Sequence, residues 1–228
     1  MPDHAAAQLV VQSRMLQLGW LPADPAAVAA ALPAGLHAAP GHPVVLTQYV
    51  VDDDAQTSGF EAYSVTGLGV ALAGPDGHPA DRDRPAHDTA DEPARWWAWQ
   101  LTSSPRVRDH TAASGVPARP GHTRLTVTGG TLLAVTEADG APLIRLRVRV
   151  GDPGHTVLRG RERQVALRDG RAHDVRHPYV VEPVSPFEVE SVEFLRPEHP
   201  VWALRPANPL TILHGFYSPR ASFAHLGG

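Results

Sequence analysis

The feature that most constrains this chain is a repeated two-residue alternation of apolar and polar side chains. It is clearest at 143–150, where aliphatic residues alternate with Arg145, Arg147 and Arg149. This period is that of a β-strand with one buried and one exposed face. A continuous apolar run at 44–51 predicts a further strand, buried on both faces. The alternation therefore favours a fold built from strands.

Further apolar runs with strand character follow, separated by glycine and proline. They lie at 60–72, 96–99, 124–128, 131–136, 157–167, 187–195 and 210–217. Gly129 and Gly130 join two of these runs as a hairpin turn. Many short strands of this kind predict a mainly β (α+β) fold, an antiparallel β-barrel or double sheet. At 228 residues the chain fits a single domain over 1–228.

Helices are expected only near the start, as a helical preface over 1–36. The stretch 5–18 has a loosely amphipathic helical pattern, and Asp24-Pro25 is typical of a helix start. That second helix is expected to end before Leu32-Pro33. The segment 74–95 is rich in Pro, Asp and Ala and has no periodicity, which predicts a long mobile loop or a lid.

Composition excludes several classes of function. A formal net charge of −4 gives no electrostatic footprint for nucleic acid or an anionic membrane surface. No apolar run approaches the roughly 18 to 20 residues of a membrane-spanning helix. The start of the chain lacks the basic and apolar regions of a secretory signal. We therefore expect a cytoplasmic protein without nucleic-acid or membrane partners.

The absence of two residue types restricts the chemistry. Without cysteine there is no disulfide, thiolate metal site or cysteine nucleophile. All 20 basic residues are arginine, so no lysine can form an imine with a carbonyl substrate. His173 and His177 have the i, i+4 spacing of helical metal ligands, but they precede a proline among turn residues. We expect neither a metal nor a cofactor.

Three stretches together resemble the acetoacetate decarboxylase family. A short helix leads into Leu32-Pro33-Ala34-Gly35-Leu36 and then a strand, as in the family. The stretch 101–119 is similar to the family's passage from a strand, through a short helical segment, into its active-site turn. The run 199–228 resembles the closing strands. The resemblance covers 24–228 and implies a barrel of the acetoacetate decarboxylase type.

The same resemblance implies where the reacting groups would lie. In the family, the first of two adjacent lysines forms an imine with a β-keto acid, and here Pro117-Ala118-Arg119 aligns with that Pro-Lys-Lys turn. Ala118 has no nucleophile, so the family reaction is lost and this position only borders the substrate. Arg119 keeps a positive charge and is expected to bind a carboxylate or enolate oxygen.

The family's two pocket glutamates fall near Gln48 and on Tyr63. Gln48 would bind substrate, and Tyr63 would donate hydrogen bonds or transfer a proton. Glu61, two residues earlier, would share the face of Tyr63 in a regular strand and take the acid–base role. His110, next to the proposed turn, is a candidate base. Trp97 and Trp99, on one face of a strand, would form apolar walls.

These residues favour an enzyme of specialised metabolism that uses non-covalent acid–base chemistry and oxyanion stabilisation. Cyclisation, dehydration, isomerisation and aldol-type cleavage of a carbonyl-rich small molecule all fit this set. The alternative is a barrel that binds a small metabolite without chemistry. Family members assemble through their barrels, so the resemblance also implies a homo-oligomer, with the stripe of Arg145, Arg147 and Arg149 as solvent-exposed or interface surface.

Overall fold

The computed structural model describes residues 8–73, 94–116, 118–168 and 171–225. Within these ranges, seven strands close into a barrel, because β3 pairs with both β2 and β4. Their order around the barrel is β3, β2, β1, β12, β10, β9 and β4. Their bounds are β1 (Gln8–Trp20), β2 (Val44–Val51), β3 (Tyr63–Ala71), β4 (Arg95–Thr102), β9 (Leu158–Arg168), β10 (Arg171–Val181) and β12 (Ile212–His225).

A second sheet of four antiparallel strands covers one side of the barrel. Its order is β11 (Phe187–Phe194), β8 (Ala141–Val150), β7 (Thr131–Ala138) and β6 (His122–Thr128). A short strand, β5 (Ala118–Pro120), extends the barrel sheet by parallel pairing with β4. The mainly β prediction is confirmed, and β6 and β7 form the predicted hairpin at Gly129-Gly130.

The main apolar core lies between the barrel and this second sheet. Leu16, Leu46 and Leu68 face it from three adjacent barrel strands, and Leu132 and Leu146 face it from the second sheet. All five are at most 1% exposed. The arginines that alternate with the apolar residues of β8 lie on its opposite, exposed face, where they pair with glutamates of β11. The predicted two faces of this strand are therefore confirmed.

The helix predicted over 5–18 is wrong, because residues 8–20 form β1. Residues 5–7 lie outside the described ranges. From Met15 to Trp20 every side chain is buried, since one face of β1 meets the barrel interior and the other the second sheet. Burial of both faces removes the alternation that would have identified a strand.

The second predicted helix is confirmed as α1 (Pro25–Ala30), with Asp24 accepting a hydrogen bond from the Ala27 amide. Helices are not confined to the start, however, because α2 (Pro105–Ala113) lies between β4 and β5. Ser104 caps it, and Pro105 occupies its first turn. The resemblance had implied a short helical segment here.

The strand prediction missed β10, since His173 and His177 lie in it and not in a turn. Residues 74–93 of the predicted loop lie outside the described ranges, and Arg95 already belongs to β4. No described helix is long and apolar enough to span a membrane.

A buried hydroxyl cluster joins the barrel to the second sheet. The Thr66 Oγ1 lies 2.6 Å from the Oγ1 atoms of both Thr123 and Thr136. The Gln48 amide donates to the Thr136 Oγ1 at 2.8 Å. Because these groups are at most 2% exposed, each depends on the others for its hydrogen bonds.

We predict that Thr136→Val lowers the free energy of unfolding by about 1–3 kcal/mol, because it leaves the Gln48 amide buried without its acceptor. Urea denaturation measures this change. Thr126→Val, on the exposed face of β6, is the matched control and should shift stability by less than about 0.5 kcal/mol. Equal effects of the two variants would contradict a structural role for the cluster.

Candidate functional site

The candidate site is a pocket of about 90 Å³ inside the barrel. Alternate residues of the barrel strands line it, among them Gln17, Thr47 and Gln164, while the intervening residues face outward. The end of α2 closes part of it with His110 and Thr111. Since about 10–15 Å³ of such space already holds one water molecule, the pocket has room for a small organic ligand.

One wall of the pocket exists because two glycines face an indole ring. The Trp97 ring lies against β3 at Gly67 and Gly69. A Cβ at Gly67 would lie only 2.6 Å from the Trp97 Cζ3 atom, so any larger residue would push the ring into the pocket. Tyr179 is placed in the same way against Gly160, its partner across β9 and β10.

A buried ion pair lies at the start of β4. The Arg95 Nη1 atom is 3.2 Å from the Glu162 Oε1 atom on β9, and the two side chains are 4% and 17% exposed. Glu162 lines the pocket. Arg95 also lies over the Trp97 ring, with its Cζ atom 5.9 Å from the ring centroid. The ion pair gives the pocket a carboxylate held by a guanidinium.

Two histidines lie together beside this ion pair, and His177 is the cross-strand partner of Glu162. The rings of His177 on β10 and His225 on β12 are 4.8 Å apart. Burial lowers the pKa of His177 to about 4, with smaller contributions from the charges of Arg95 and His110. Burial, and next the proximity of His177, lowers the pKa of His225 well below its usual value. Both rings are therefore neutral at neutral pH.

The hydrogen bonds of His177 define its tautomer. Its Nδ1 atom lies 3.3 Å from the Ala224 carbonyl, which can only accept, so this nitrogen carries the proton. In the neutral ring Nε2 is then an acceptor. The Gln164 Oε1 atom lies 3.1 Å from Nε2, so a neutral ring with its proton on Nδ1 accepts a hydrogen bond here once the Gln164 amide is turned to present its NH₂ group.

Two tyrosines, Tyr49 and Tyr63, pack against each other inside the barrel. The Tyr49 and Tyr63 hydroxyls are 3.5 Å apart, and their rings meet edge to face. Tyr49 lines the pocket, whereas Tyr63 lies behind it, only 4% exposed. Burial raises the pKa of Tyr63 to about 12 and that of Tyr49 well above its usual value. Both phenols keep their protons and can act as donors.

Of the residues predicted for the site, His110 and Trp97 line the pocket. Tyr63 does not line the pocket, although its ring packs against Tyr49, which does. Trp99 was expected on the same face as Trp97. A register shift between them instead turns Trp99 toward the main apolar core outside the barrel, where its ring lies 5.0 Å from the His199 ring. A bulge of this kind reverses the face that later residues present.

Arg119 is not in the pocket, contrary to expectation. Ala118 pairs with Gln100, which lines the pocket, so Ala118 lies on the interior face of the sheet. Arg119, the next residue, pairs with Leu101 on the opposite face, and its Cζ atom lies 3.9 Å from the Trp99 ring centroid. Consecutive strand residues point to opposite faces, so both cannot face the interior.

The positions expected for Gln48 and Glu61 are also wrong. Gln48 is fully buried between the barrel and the second sheet, in the hydroxyl cluster described above. Glu61 precedes β3 with a left-handed backbone, φ 64°, and its exposed side chain pairs with Arg106 at 3.0 Å. A residue outside the regular strand does not share the face of Tyr63.

Sequence reasoning missed Arg95, Glu162, His177 and His225. Arg95 lies two residues before Trp97 and so shares its face of β4. The two-residue spacing of Glu162 and Gln164 could have indicated that both side chains face the barrel interior. No cluster of three or more His, Asp or Glu side chains arranged to hold a metal ion occurs among the described residues.

The buried imidazole of His177 leads to a prediction about stability. Its pKa is about 4 in the folded state and near 6.5 when unfolded, so the unfolded chain binds an extra proton between these values. The free energy of unfolding should therefore fall as the pH drops from about 6.5 to 4. The slope attributable to this residue is about 1.4 kcal/mol per pH unit, about 3 kcal/mol in total.

Urea denaturation from about pH 7.5 to 4.5 measures this dependence. His177→Gln should make the profile less steep and leave the contribution of His225, although its stability near pH 7.5 is lower because hydrogen bonds are lost. His173→Gln, an exposed position on the same strand, should keep the full slope. Parallel profiles for the wild type and His177→Gln would disprove the assignment.

Comparisons with known proteins give matches among solved structures. No family model and no curated protein matches the chain. A structure of acetoacetate decarboxylase matches with a TM-score of 0.63 at 12% identity, covering 97% of this chain and 88% of that one. The enzyme from Legionella pneumophila matches with a TM-score of 0.60 at 14% identity, covering 98% and 86%.

A third match is the enduracididine biosynthesis enzyme MppR in complex with the condensation product of pyruvate and imidazole 4-carboxaldehyde. Its TM-score is 0.60 at 12% identity, with 97% of this chain and 87% of that chain covered. At identities this low, structural matches establish the fold alone. The closed barrel, the covering second sheet and these matches together show that the chain has the acetoacetate decarboxylase fold.

Proposed function

We propose that this protein is an enzyme that acts on a small carbonyl compound in the barrel pocket by non-covalent acid–base chemistry. The observation that carries the proposal is the ion-paired carboxylate of Glu162 in an otherwise uncharged lining of aromatic, imidazole, amide and hydroxyl groups. The chain contains no lysine, so the lining offers no side-chain amine for an imine. The Glu162 carboxylate and the neutral polar groups around it can transfer protons without a covalent intermediate.

Each group has a definite part in such a reaction. The Glu162 carboxylate takes a proton from the carbon next to the substrate carbonyl, and the electron pair moves into that carbonyl to give an enolate. Neutral donors facing the pocket, such as the Gln100 amide and the Tyr49 hydroxyl, stabilise the enolate oxygen. Arg95 is a positioning residue that holds Glu162 through the ion pair.

The solved structures that share this fold support the coarser part of the proposal, that the protein is an enzyme. Two matches are named as decarboxylases, and MppR is named as a biosynthesis enzyme with a carbonyl condensation product bound. Enolate chemistry is common to isomerisation, dehydration, cyclisation and aldol-type cleavage. We place this chain among such enzymes of natural-product metabolism, as a homo-oligomer.

A second candidate function is binding without chemistry. It is favoured by the histidines, since both ring nitrogens of His177 are engaged in hydrogen bonds within the protein. Neutral, engaged imidazoles shape a pocket without moving protons. The two functions differ in whether the protein accelerates proton exchange on a bound carbonyl compound.

We predict that the protein accelerates deuterium incorporation from D₂O at the carbon next to the carbonyl of small ketones, keto amides or oxo acids. Proton NMR measures the rate against buffer alone. Glu162→Gln should lower the rate by about 100-fold or more, the usual loss for a general base. Sodium borohydride should trap no adduct during turnover.

Arg95→Gln and Arg119→Gln form a matched pair that tests the placement of the site. Arg95→Gln should reduce exchange, because Glu162 loses its partner, whereas Arg119→Gln on the opposite face should retain the wild-type rate. Unchanged exchange in Glu162→Gln would rule out this base. Ligand binding without any accelerated exchange would establish the binding function instead.

A further inference from the structure

We propose that the pocket selects a neutral carbonyl compound, such as a keto amide or ketone, over a carboxylate of the same size. The inference rests on the pocket of the proposed function, but not on the reaction taking place there. It follows from the formal charges around the cavity and from the chemistry of its remaining polar groups.

The first step is the charge of the lining. Of the described residues that line the pocket, Glu162 alone carries a formal charge, and that charge is negative. The other polar lining groups are amides, hydroxyls and imidazoles. Gln17, Gln100 and Gln164 present both donors and acceptors, as a neutral ligand with a carbonyl oxygen and an amide or hydroxyl group requires.

The second step concerns the cation next to the pocket. Arg95 is 4% exposed and lies 3.2 Å from Glu162, so the two side chains together have no net charge. A ligand carboxylate at this wall would add a second negative charge beside Glu162. Two carboxylates sharing one guanidinium in a buried site repel each other and lose their hydration.

The third step concerns the other groups around Glu162. His177 and His225 are neutral because burial disfavours their charged forms. Arg119 stacks on Trp99 outside the barrel, and the chain has no lysine. On this wall Arg95 is therefore the counter-charge that the described residues offer a buried anion, and Glu162 already shares it, whereas a neutral ligand needs none.

The size of the pocket narrows the ligand further. A cavity of about 90 Å³ suits small ligands, and acetoacetamide and acetoacetate are suitable probes of it. These two differ only in an amide NH₂ group where the other has a charged oxygen. They form a matched pair for measuring charge discrimination without a difference in size.

The experiment compares the dissociation constants of acetoacetamide and freshly prepared acetoacetate by ligand-observed NMR with the full chain at about pH 7.5. We expect the amide to bind at least about tenfold more tightly, equivalent to about 1.4 kcal/mol. Acetoacetate binding as tightly as the amide, or more tightly, would overturn the proposal. So would binding of neither compound.

Variants locate the origin of the preference. Glu162→Gln should reduce it to below about threefold, and Glu137→Gln, which removes an exposed ion pair with Arg124, should leave it unchanged. If Glu162→Gln does not fold, Gln100→Glu provides the complementary test, because an added negative charge in the lining should widen the preference. A preference unaffected by the folded charge variants would contradict the proposal.

This outcome is separable from that of the proposed function. A preference for the amide without accelerated deuterium exchange would support the charge selection and remove the enzyme. Accelerated exchange together with preferred binding of acetoacetate would support the enzyme and remove the charge selection.

Discussion

Packing of the barrel against the second sheet is the constraint on which the rest of the structure depends. Strands β1, β2 and β3 bury both faces, one toward the leucine-rich core and one toward the barrel interior. Leu16, Leu46 and Leu68 supply the first face, and alternate positions such as Gln17 and Thr47 supply the second. Because the core holds these three strands in register, polar residues can face the interior without being needed for cohesion.

The pocket itself depends on missing side chains. Gly67 and Gly69 let the Trp97 ring lie flat against β3, and Gly160 does the same for Tyr179. A closed barrel of seven strands would otherwise be filled by its own side chains. Seating large rings against glycine leaves space at the centre, where Glu162 and the histidines are exposed to a ligand.

The buried ion pair has a role in the proposed function, whereas stability alone does not account for it. Removing two charges from water is costly, and an apolar pair of similar volume often stabilises a core as well. The Arg95–Glu162 pair nevertheless occupies the pocket wall, with Glu162 on the cavity. A carboxylate retained there, beside neutral histidines and amides, is what the proposed proton transfer on an uncharged ligand requires.

The sequence by itself determined the class of fold, the two faces of β8, the hairpin at Gly129-Gly130 and the absence of a lysine amine, since these depend on local periodicity, turn residues and composition. Tertiary structure decided the rest. It made a strand of the predicted first helix, because burial of both faces hides alternation, and it turned Arg119 away from the pocket. Arg95 and Glu162 are far apart in sequence, and only closure of the barrel through the β4–β9 pairing brings them together.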